Sequence, residues 1–593
     1  MNVWIGKRSG YNGLMEEKEV ILAFKEGHDP AAALMINGEI IVAVEEERFT
    51  REKHAPSKFP KNSIDYCLQV LSESGLQVTH VVLARRKPIL TAVKVFSYYI
   101  SHPTLVVFNP AYVLRHLKVQ MIGCLEQICG KARYQLFRKY YPNLPNKILS
   151  IDHHLGHAAS AYFFSGQDDS LVVTWDGKGE EKSITINIGK AGKLKKIHSW
   201  GILSSLGLVY SQITELLGFT PNDGEYKVMG MAAIGEPKFD LRDLFKVGKF
   251  SGKNSPINPR WVTKIDSYLK AKDIVIDDAS RYNVASSFQF YLEEICILII
   301  KHWITKTKLS NLSIAGGVGL NVKVNQKIWE QIKLTDLFIQ PASGDAGLVL
   351  GACALINRRN GRFPIKPLQN MYLGPKYSPT SIKETLEASN LIFHLSDNVA
   401  EEAASFIHEG KVIGWFQGRM EFGPRALGNR SILADPTKSN MQEHVNSKIK
   451  FREEFRPFCP TVDSTIIEEL FKQPKSSPYM TMSFAAKDRV ANLIPAVVHV
   501  DGTVRPQTLT ESANPIFFQV LHELKKLNGN PVVLNTSMNV RGEPMCMSPA
   551  DAVNFFLYTN VDILVIGDFV CKKDKQVNLA NKEIVENRIK SNY

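Results

Sequence analysis

The most chemically suggestive stretch of this 593-residue chain is DHHLGHAASA at residues 152–161, which carries three histidines. In a helix, His153 and His157 lie on one face about 6 Å apart, where both imidazoles can reach one metal ion. His154 and His157 are three residues apart and compete for the same role. The small side chains at 158–161 would allow another element to approach closely. The stretch alone does not establish a metal site, because histidines at this spacing are also common on surfaces and in cores.

The cysteines and aspartates limit what such a metal site can be. The eight cysteines are scattered and form no CxxC pair, which argues against a zinc ribbon or a disulfide framework. Any metal must therefore use histidine and carboxylate ligands. Asp176 begins DGKGEE after the buried run SLVVTWD, and Asp345 lies in SGDAG after a strand at 337–340. Strand ends of this kind are where proteins hold metals and phosphates.

The formal net charge of +13 fits nucleic acid, a membrane surface or polyanionic small ligands. There is no long Lys/Arg block, which favours phosphate-bearing small ligands. The apolar stretches at 89–114 and 296–300 are interrupted or short, so neither predicts a membrane span. The start of the chain, MNVWIGKRSGYNG, lacks the apolar core of a secretory signal. We therefore expect a cytoplasmic protein with no membrane partner.

Clustered arginines and glycines form a second group with chemical potential. GRMEFGPRALGNRSI and NSKIKFREEFRPF, between residues 418 and 458, interleave basic side chains with glycines and aromatics. Guanidinium groups around glycine-rich turns bind phosphate oxygens in bidentate fashion. A solvated basic surface is the alternative, but the interleaved residues favour anion binding. GGVGLNVKVN after a strand at 312–315, and NTSMNVRGEP after PVVL, are further candidates for holding a nucleotide.

The elements that must position these residues are α/β in pattern. Residues 20–84 and 170–355 each combine hairpins, with turns at Asn37-Gly38 and Gly189–Gly192, with strand-to-helix transitions and place polar residues at strand ends. This repetition predicts a duplicated α/β fold with a cleft between its halves. Residues 85–147 are aromatic, basic and broken by prolines, and predict a helical insertion: packed helices with a solvated basic face, or a substrate lid. A chain of this length requires several domains, and residues 357–372 have the composition of a boundary.

The order of motifs resembles that of the NodU/CmcH-type ATP-dependent O-carbamoyltransferases, nearly end to end. The motifs are HDPAAAL, EEERFTREKH, DHHLGHAASAYFFSG, DGKGEE, SLGLVYSQITELLGF, GEYKVMGMAAIG, AGGVGLNVKVN, SGDAG, GRMEFGPRALGNRSI, FREEFRPFCP, VRPQT, LNTSMNVRGEP and SPADA. The resemblance implies an α/β chain with a duplicated, actin-like RNase-H-type domain (1–360, including the 85–147 insertion), a linker (361–397) and a YrdC-like α/β domain (398–593). The N-terminal extension, the insertion and the middle segment at about 236–282 depart from the family pattern.

The resemblance also implies two linked reactions. The YrdC-like unit would make carbamoyl adenylate from ATP and carbamoyl phosphate. Mg²⁺, bound with ATP, is a further candidate cofactor. The actin-like unit would transfer the carbamoyl group to a hydroxyl of a small-molecule acceptor, expected to be a natural product such as an antibiotic precursor. The residues implied for binding the nucleotide and carbamoyl phosphate are Gly316, Gly317, Asn321, Arg419, Arg425, Arg430, Lys450, Arg452, Arg456, Arg505, Asn535, Thr536 and Ser537.

For the transfer site, the resemblance implies a metal, iron(II) in the family, with manganese and zinc also suited to the ligands. Its ligands would be His153, His157, Asp176 and Asp345. His28, in the HD motif, is the candidate general base, and Asp29 would orient its ring. His154 is then expected to have a structural role.

Two alternatives stay open at this point. One is tRNA threonylcarbamoylation by a fused two-domain enzyme, which would require threonine and bicarbonate instead of carbamoyl phosphate. The other is a nucleic-acid-binding protein with a degenerate enzyme fold, although the retained histidines and aspartates argue against it. Nucleic acid is therefore not expected as a partner. The acceptor, the metal and the oligomeric state, with a homodimer among the options, stay open.

Overall fold

The computed structural model describes residues 18–361 and 363–576, so the N-terminal extension and the C-terminal end of the chain lie outside the described residues. The first sheet has the strand order β3–β2–β1–β4–β5: an antiparallel meander is followed by two parallel strands. Its strands are β1 (Val20–Lys25), β2 (Ala31–Ile36), β3 (Glu39–Glu45), β4 (His80–Leu83) and β5 (Ile148–Ser150). The turn between β2 and β3 is the predicted Asn37-Gly38, and both residues have positive φ.

The helices of this first half include α1 (Glu46–Thr50) and α2 (Lys61–Ser72), which follow β3. Between β4 and β5 lies the helical insertion predicted at 85–147. It consists of α3 (Pro88–Ser101), α4 (Pro103–Phe108), α5 (Pro110–Ile128) and α6 (Leu136–Tyr140). Prolines begin α3, α4 and α5, where their missing N–H has no helical partner to lose. The helix carrying the histidines, α7 (His153–Tyr162), comes directly after β5.

The second sheet repeats the order of the first, as β8–β7–β6–β9–β10. Its strands are β6 (Asp169–Gly179), β7 (Lys182–Lys190), β8 (Lys193–Gly201), β9 (Asn311–Ala315) and β10 (Asp336–Ile339). The helices that follow in the chain are α8 (Leu206–Leu216), α9 (Glu225–Ala232), α10 (Arg242–Phe245), α11 (Ile265–Lys270), α12 (Arg281–Thr307), α13 (Val322–Gln331) and α14 (Leu348–Asn360), the last of which packs on the first sheet. In each half the first three strands are an antiparallel meander and the last two run parallel to the first, so the predicted duplication is confirmed.

The two halves meet through α7 and α14, which pack very closely. A Cβ on Gly351 of α14 would lie 1.9 Å from the carbonyl oxygen of Gly156 on α7, so only glycine fits there. The small residues after the histidines permit this approach, as the sequence predicted. The contact sets the distance between the histidines of α7 and Asp345, which immediately precedes α14.

One helix, α12, is long and apolar enough to cross a membrane by length and composition. However, 72% of its most apolar stretch is buried inside the protein, and it packs in the core of the second half. The same burial is typical of the central helix of a globular domain.

The last unit is built on an eight-stranded mixed sheet, with the order β11–β20–β19–β12–β13–β18–β14–β17. The strands of this sheet are β11 (His394–Leu395), β12 (Ile413–Phe416), β13 (Arg430–Ala434), β14 (Cys459–Asp463), β17 (Gln507–Leu509), β18 (Val532–Ser537), β19 (Ile563–Ile566) and β20 (Phe569–Lys572). Two further strands, β15 (Phe484–Ala485) and β16 (Thr503–Val504), pair with each other. Its helices are α15 (Pro379–Ala388), α16 (Val399–His408), α17 (Met441–Val445), α18 (Ile467–Leu470), α19 (Val490–Leu493), α20 (Pro515–Asn528) and α21 (Pro549–Tyr558). The α/β class expected for this unit is confirmed.

The segment predicted as a linker, 361–397, makes ordered contacts with both units. Along its first part, the carbonyl oxygen of Leu373 accepts a hydrogen bond from the backbone of Ala43 on β3. Its last part pairs β11 with β20 and packs α15 beside α21. The segment therefore ties the last sheet to the first half.

Candidate active site

The four predicted metal ligands come together at the ends of three different elements. His153 and His157 lie one turn apart on α7, Asp176 lies where the ladder of β6 with β7 becomes irregular, and Asp345 precedes α14. Nε2 of His153 is 3.0 Å from Oδ2 of Asp176 and 3.6 Å from Oδ1 of Asp345. Nε2 of His157 is 3.7 Å and 3.6 Å from the same oxygens. All four ligand atoms lie within 4.8 Å of one another.

The surroundings of this cluster fit a divalent metal ion. Both ring nitrogens of His157 are buried and have no hydrogen-bond partner among the described residues, so Nε2 is an unused donor aimed at the two carboxylates. Burial lowers the pKa of His157, but attraction to the carboxylates of Asp176 and Asp345, 3.7 and 3.6 Å from Nε2, outweighs it and raises the pKa to about 9. Without an ion, the His157 ring is therefore protonated at neutral pH and its positive charge faces the two carboxylates. Two imidazoles with two carboxylates suit iron(II), manganese or zinc.

His154 does not belong to the cluster. Its Nδ1 is hydrogen-bonded to Oγ1 of Thr174 at 2.7 Å, and its ring points under β6. Burial, followed by the charge of His153, lowers its pKa to about 3, so the ring is neutral. The structural role expected for His154 agrees with this position.

The glycine loop after β9 completes the metal end of the site. Gly316 has φ of +97°, and a Cβ there would lie 2.3 Å from the carbonyl oxygen of Trp175. This close approach lets the N–H of Gly317 donate to Oδ1 of Asp176 at 3.1 Å. Asn321 caps α13 by accepting from the N–H of Val324. The loop thus holds Asp176 in place, and Gly317 and Asn321 also line the cavity described below.

His28 and Asp29 lie beside the metal end, as part of a larger group. Nε2 of His28 is 3.4 Å from Oδ2 of Asp29, and the His28 ring stacks on that of His54 with centroids 5.0 Å apart. His54 joins two carboxylates: its Nδ1 is 2.7 Å from Asp29, and its Nε2 is 3.2 Å from Asp223. Burial lowers the pKa of His54, but hydrogen bonds to Asp223 and Asp29 raise it to about 10. His54 is therefore a cation at neutral pH, and it fixes the orientation of Asp29 toward His28.

The raised pKa of His54 makes a testable contribution to stability. Because the folded pKa lies above the usual value of 6.5, this stability is fully present below about pH 6.5 and is lost as pH rises through about 10. We expect His54→Gln to lower the melting temperature by about 2 °C at pH 6 and by much less at pH 10. Thermal unfolding followed by circular dichroism at the two pH values measures the difference. His394→Gln, which breaks an exposed pair with Glu402, is the control; a pH-independent gap for His54→Gln would contradict the assignment.

The arginine-rich residues form the opposite end of the site. Arg425 lines the cavity, and its guanidinium makes no hydrogen bond or ion pair with the described residues. Burial and the charge of Arg505 lower its pKa to about 9, so it stays charged at neutral pH. Arg505 donates a hydrogen bond from Nε to Sγ of Cys459 at 2.9 Å, and its side chain lines the same cavity as Arg425. Two neighbouring guanidinium groups without a counter-charge among the described residues favour an anionic ligand.

The remaining basic side chains are held in fixed positions around these two. Arg452 stacks on Phe458 at 4.4 Å and donates to Asn446, while Arg456 lies over Tyr226 at 4.6 Å. Burial and the charges of Arg452 and Arg456 lower the pKa of Lys450, whose Nζ donates to Ser537 and Asn539. The buried Oδ1 of Asn535 has no partner among the described residues. Lys450, Arg452, Arg456, Asn535, Thr536 and Ser537 all line the cavity.

Two arginines of the predicted set do not reach the cavity. Arg430 is fully buried, stacks on Phe416 at 3.6 Å, and directs its nitrogens at backbone carbonyls such as that of Gln417. Arg419 donates to the carbonyl oxygens of Gly374 and Ile41. Backbone carbonyl groups of the protein take up the donors of both arginines. In the structure, both side chains therefore join neighbouring segments of the chain and do not make the predicted ligand contact.

Charged residues of EEERFTR hold the loop that carries Arg425. The N–H of Gly423 donates to Oε1 of Glu45 at 2.7 Å, and Nη2 of Arg48 donates to the carbonyl oxygen of Gly423 at 2.9 Å. Both side chains are buried, and burial raises the pKa of Glu45. The first half of the chain therefore fixes the position of an arginine that belongs to the last unit.

Both ends open into one cavity of about 810 Å³. Its walls include His28, Asp176 and Asp345 at one end, and Arg425, Arg452 and Arg505 at the other. Lys53, His54, Asp223 and Tyr226 lie on its wall as well. Three of its residues, His54, Asp223 and Glu45, have roles that the sequence did not assign. The density of charges at the end of the buried strand β3 and directly after it was the signal that could have identified Glu45 and His54.

Comparison with known families gives matches over both parts of the chain. The family model described as "Carbamoyltransferase N-terminus" matches residues 20–354, and "Carbamoyltransferase C-terminus" matches 404–573. Nodulation protein NolNO of Sinorhizobium fredii is 36% identical over 560 residues, which are 92% of this chain and 79% of that protein. Nodulation protein NolO of Bradyrhizobium diazoefficiens is 35% identical over an alignment that covers 71% of this chain and 79% of that protein. An uncharacterized protein of Synechocystis is 33% identical over 93% of this chain and 96% of its own length.

Among solved structures, HypF of T. kodakarensis is similar, with 15% sequence identity and a TM-score of 0.36. The match covers 59% of this chain and spans half the length of that one.

Proposed function

The chain belongs to the carbamoyltransferase family, and on that premise we propose that it is an O-carbamoyltransferase that works in two steps within one cavity. It forms carbamoyl adenylate from ATP and carbamoyl phosphate, and then transfers the carbamoyl group to a hydroxyl of a small molecule. The observation that carries the proposal is the single cavity with uncompensated guanidinium groups at one end and a histidine–aspartate cluster at the other.

The first step uses the arginine end. Carbamoyl phosphate and water give carbamate and phosphate, and a carbamate oxygen then attacks the α-phosphorus of ATP, whose bond to pyrophosphate breaks. Both substrates are polyanions, and negative charge moves onto leaving phosphate and pyrophosphate oxygens. Arg425 and Arg505 have free donors for these oxygens, and Arg452 and Arg456 add positive charge. The unpaired Oδ1 of Asn535 is an acceptor for the carbamoyl NH₂ or the adenine.

The second step uses the histidine end. The acceptor oxygen attacks the carbamoyl carbon, the bond from that carbon to the AMP oxygen breaks, and AMP leaves. The Nε2 of His28 faces Asp29, so Nδ1 is the nitrogen that takes the proton of the acceptor hydroxyl. Asp29, held by the His54 cation, keeps the His28 ring in one orientation.

His153, His157, Asp176 and Asp345 would hold a divalent metal at this end. When bound, such an ion supplies positive charge for the phosphate of the adenylate and polarises its carbonyl group. Lys25, whose Nζ is 3.0 Å from Oδ2 of Asp345, fixes that carboxylate from the outer side. The side-chain arrangement is therefore set before an ion arrives.

We expect Asp345→Asn to weaken metal binding by more than about 100-fold, because it removes one of two carboxylate ligands. Metal content after dialysis against iron(II), manganese or zinc measures this without any activity assay. Asp169→Asn, which removes a carboxylate paired with exposed Lys190 on the same sheet, is the control. Equal metal content in both variants would show that the ion does not bind at the histidine–aspartate cluster.

The experiment that tests the function is incubation of the protein with ATP, carbamoyl phosphate and a panel of hydroxyl-bearing small molecules. A gain of one carbamoyl group in the mass spectrum of an acceptor, with release of AMP, supports the proposal. Formation of AMP and pyrophosphate that depends on carbamoyl phosphate supports the first step even when the right acceptor is absent. Turnover that needs threonine and bicarbonate would instead favour tRNA threonylcarbamoylation.

A further inference from the structure

The helical insertion between β4 and β5 carries most of the exposed apolar surface of the protein. Of the twenty large apolar side chains exposed in the described parts of the chain, twelve lie between residues 90 and 140. They include Ile100 at 79%, Val107 at 75% and Ile128 at 71% exposure. A surface of this kind on a folded protein indicates an interaction site.

On α5 the exposed apolar residues follow the helical period. Five of the six, Leu114, Met121, Ile122, Leu125 and Ile128, are 46–71% exposed and fall within about a third of the helix circumference, and the sixth, Val119, lies beside them. The opposite face packs inward through Val113 and through His116, which is hydrogen-bonded to the hydroxyl of Tyr99 on α3. The inner face thus fixes the helix on the protein, and its outer face is apolar without a partner in the described structure.

The same insertion carries most of the net charge. Residues 85–147 contain eleven lysines and arginines and a single acidic residue, Glu126, which gives a net charge of +10 in a chain of +13. Arg115 and Lys118 lie on or beside the apolar stripe of α5. Lys94, Lys131 and Arg133, elsewhere in the same insertion, are also exposed. Among the described residues, these five side chains form no ion pair with an acidic group.

We propose that the outer face of α5, with the exposed residues of α3 and α4, binds to the surface of an anionic lipid membrane. Apolar side chains enter the boundary between headgroups and acyl chains, while lysine and arginine extend to the anionic headgroups. This departs from the expectation that no membrane is a partner, which rested on the absence of a spanning segment and of a long basic block.

Charge separates this partner from the other candidates. A second copy docking through the same face would bring two segments of net +10 together, which is unfavourable. Nucleic acid would satisfy the charges but offers no apolar phase for five aliphatic side chains on one stripe. An anionic bilayer satisfies both properties at once.

Vesicle flotation of the full-length protein tests the proposal. We expect binding to phosphatidylcholine vesicles that contain phosphatidylglycerol, about 10-fold weaker binding to phosphatidylcholine alone, and a strong loss at high salt, where the screening length falls to about 3 Å. Met121→Gln with Leu125→Gln should weaken binding at least 10-fold, because two apolar anchors are removed. The matched control is Ile392→Gln with Leu395→Gln, which changes two exposed apolar residues in the last unit.

A charge-reversal pair tests the electrostatic part. Arg115→Glu with Lys118→Glu should abolish the preference for anionic vesicles, whereas Lys193→Glu with Lys195→Glu, on exposed positions of β8, should retain it. All the side chains changed are exposed, so circular dichroism should show folded variants throughout. Equal binding to neutral and anionic vesicles, or equal losses in the control pairs, would overturn the proposal. So would light scattering that shows a dimer in wild type and a monomer in the Met121/Leu125 variant.

Discussion

Arg425→Ala should lower the rate of carbamoyl-adenylate formation by about 10³-fold, while transfer from supplied carbamoyl adenylate survives. Arg425 is the guanidinium whose donors are all available to a ligand, and its loop is held by Glu45 and Arg48. Removing it takes away charge that the leaving phosphate and pyrophosphate require. The rate is measured as AMP and pyrophosphate formation that depends on carbamoyl phosphate.

Two variants make the result specific. Arg425→Lys keeps the charge but loses the planar pair of donors, so we expect an intermediate rate. Arg489→Ala, which breaks a surface pair with Glu469 in the same unit, should leave both steps unchanged. If Arg425→Ala also removed transfer from supplied carbamoyl adenylate, the assignment of the two steps to two ends of the cavity would be wrong.

His28→Asn should have the opposite pattern: transfer to the acceptor falls by about 10²–10⁴-fold, and adenylate formation is unchanged. Asparagine keeps a polar side chain near Asp29 but cannot take a proton from a hydroxyl. The measurement is the amount of carbamoylated acceptor produced per unit of carbamoyl adenylate supplied. In the absence of transfer, carbamoyl adenylate formed by the variant should be lost by hydrolysis, so AMP release continues without product.

The control for this variant is His408→Asn, at an exposed position near the end of α16. His54→Gln provides a graded comparison, because it leaves His28 in place and removes the cation that orients Asp29. We expect its transfer rate to lie between those of wild type and His28→Asn. Equal loss of both steps in His28→Asn would mean that His28 is not the base.

The fold was largely predictable from local patterns. The NG turn at 37–38, the glycine turn after β7 and the alternation of strands with helices are short-range features, and they identified the duplicated halves. The clustering of the four candidate metal ligands was predictable because the histidines follow one predicted strand, the aspartates follow two others, and parallel strands bring such ends together. The close contact of α7 with α14 was signalled by the small residues at 158–161.

Other parts of the site depended on distant contacts. The pairing of His54 with Asp223 joins residues 169 positions apart, and that of Glu45 with Gly423 joins residues 378 positions apart. No spacing rule predicts such contacts. Arg419 and Arg430 were predicted to bind ligands because arginines near glycines commonly do, but backbone carbonyls of neighbouring segments take up their donors. An arginine's sequence context does not show which of these acceptors it will meet.

The volume of the shared cavity has a kinetic consequence. One molecule confined to about 810 Å³ corresponds to an effective concentration of about 2 M. An acceptor bound at the histidine end would therefore meet the adenylate at a concentration that no free pool of so labile a compound could reach. The enzyme could then use an acceptor of modest nucleophilicity without accumulating adenylate in solution, and an external trapping reagent would compete poorly with transfer.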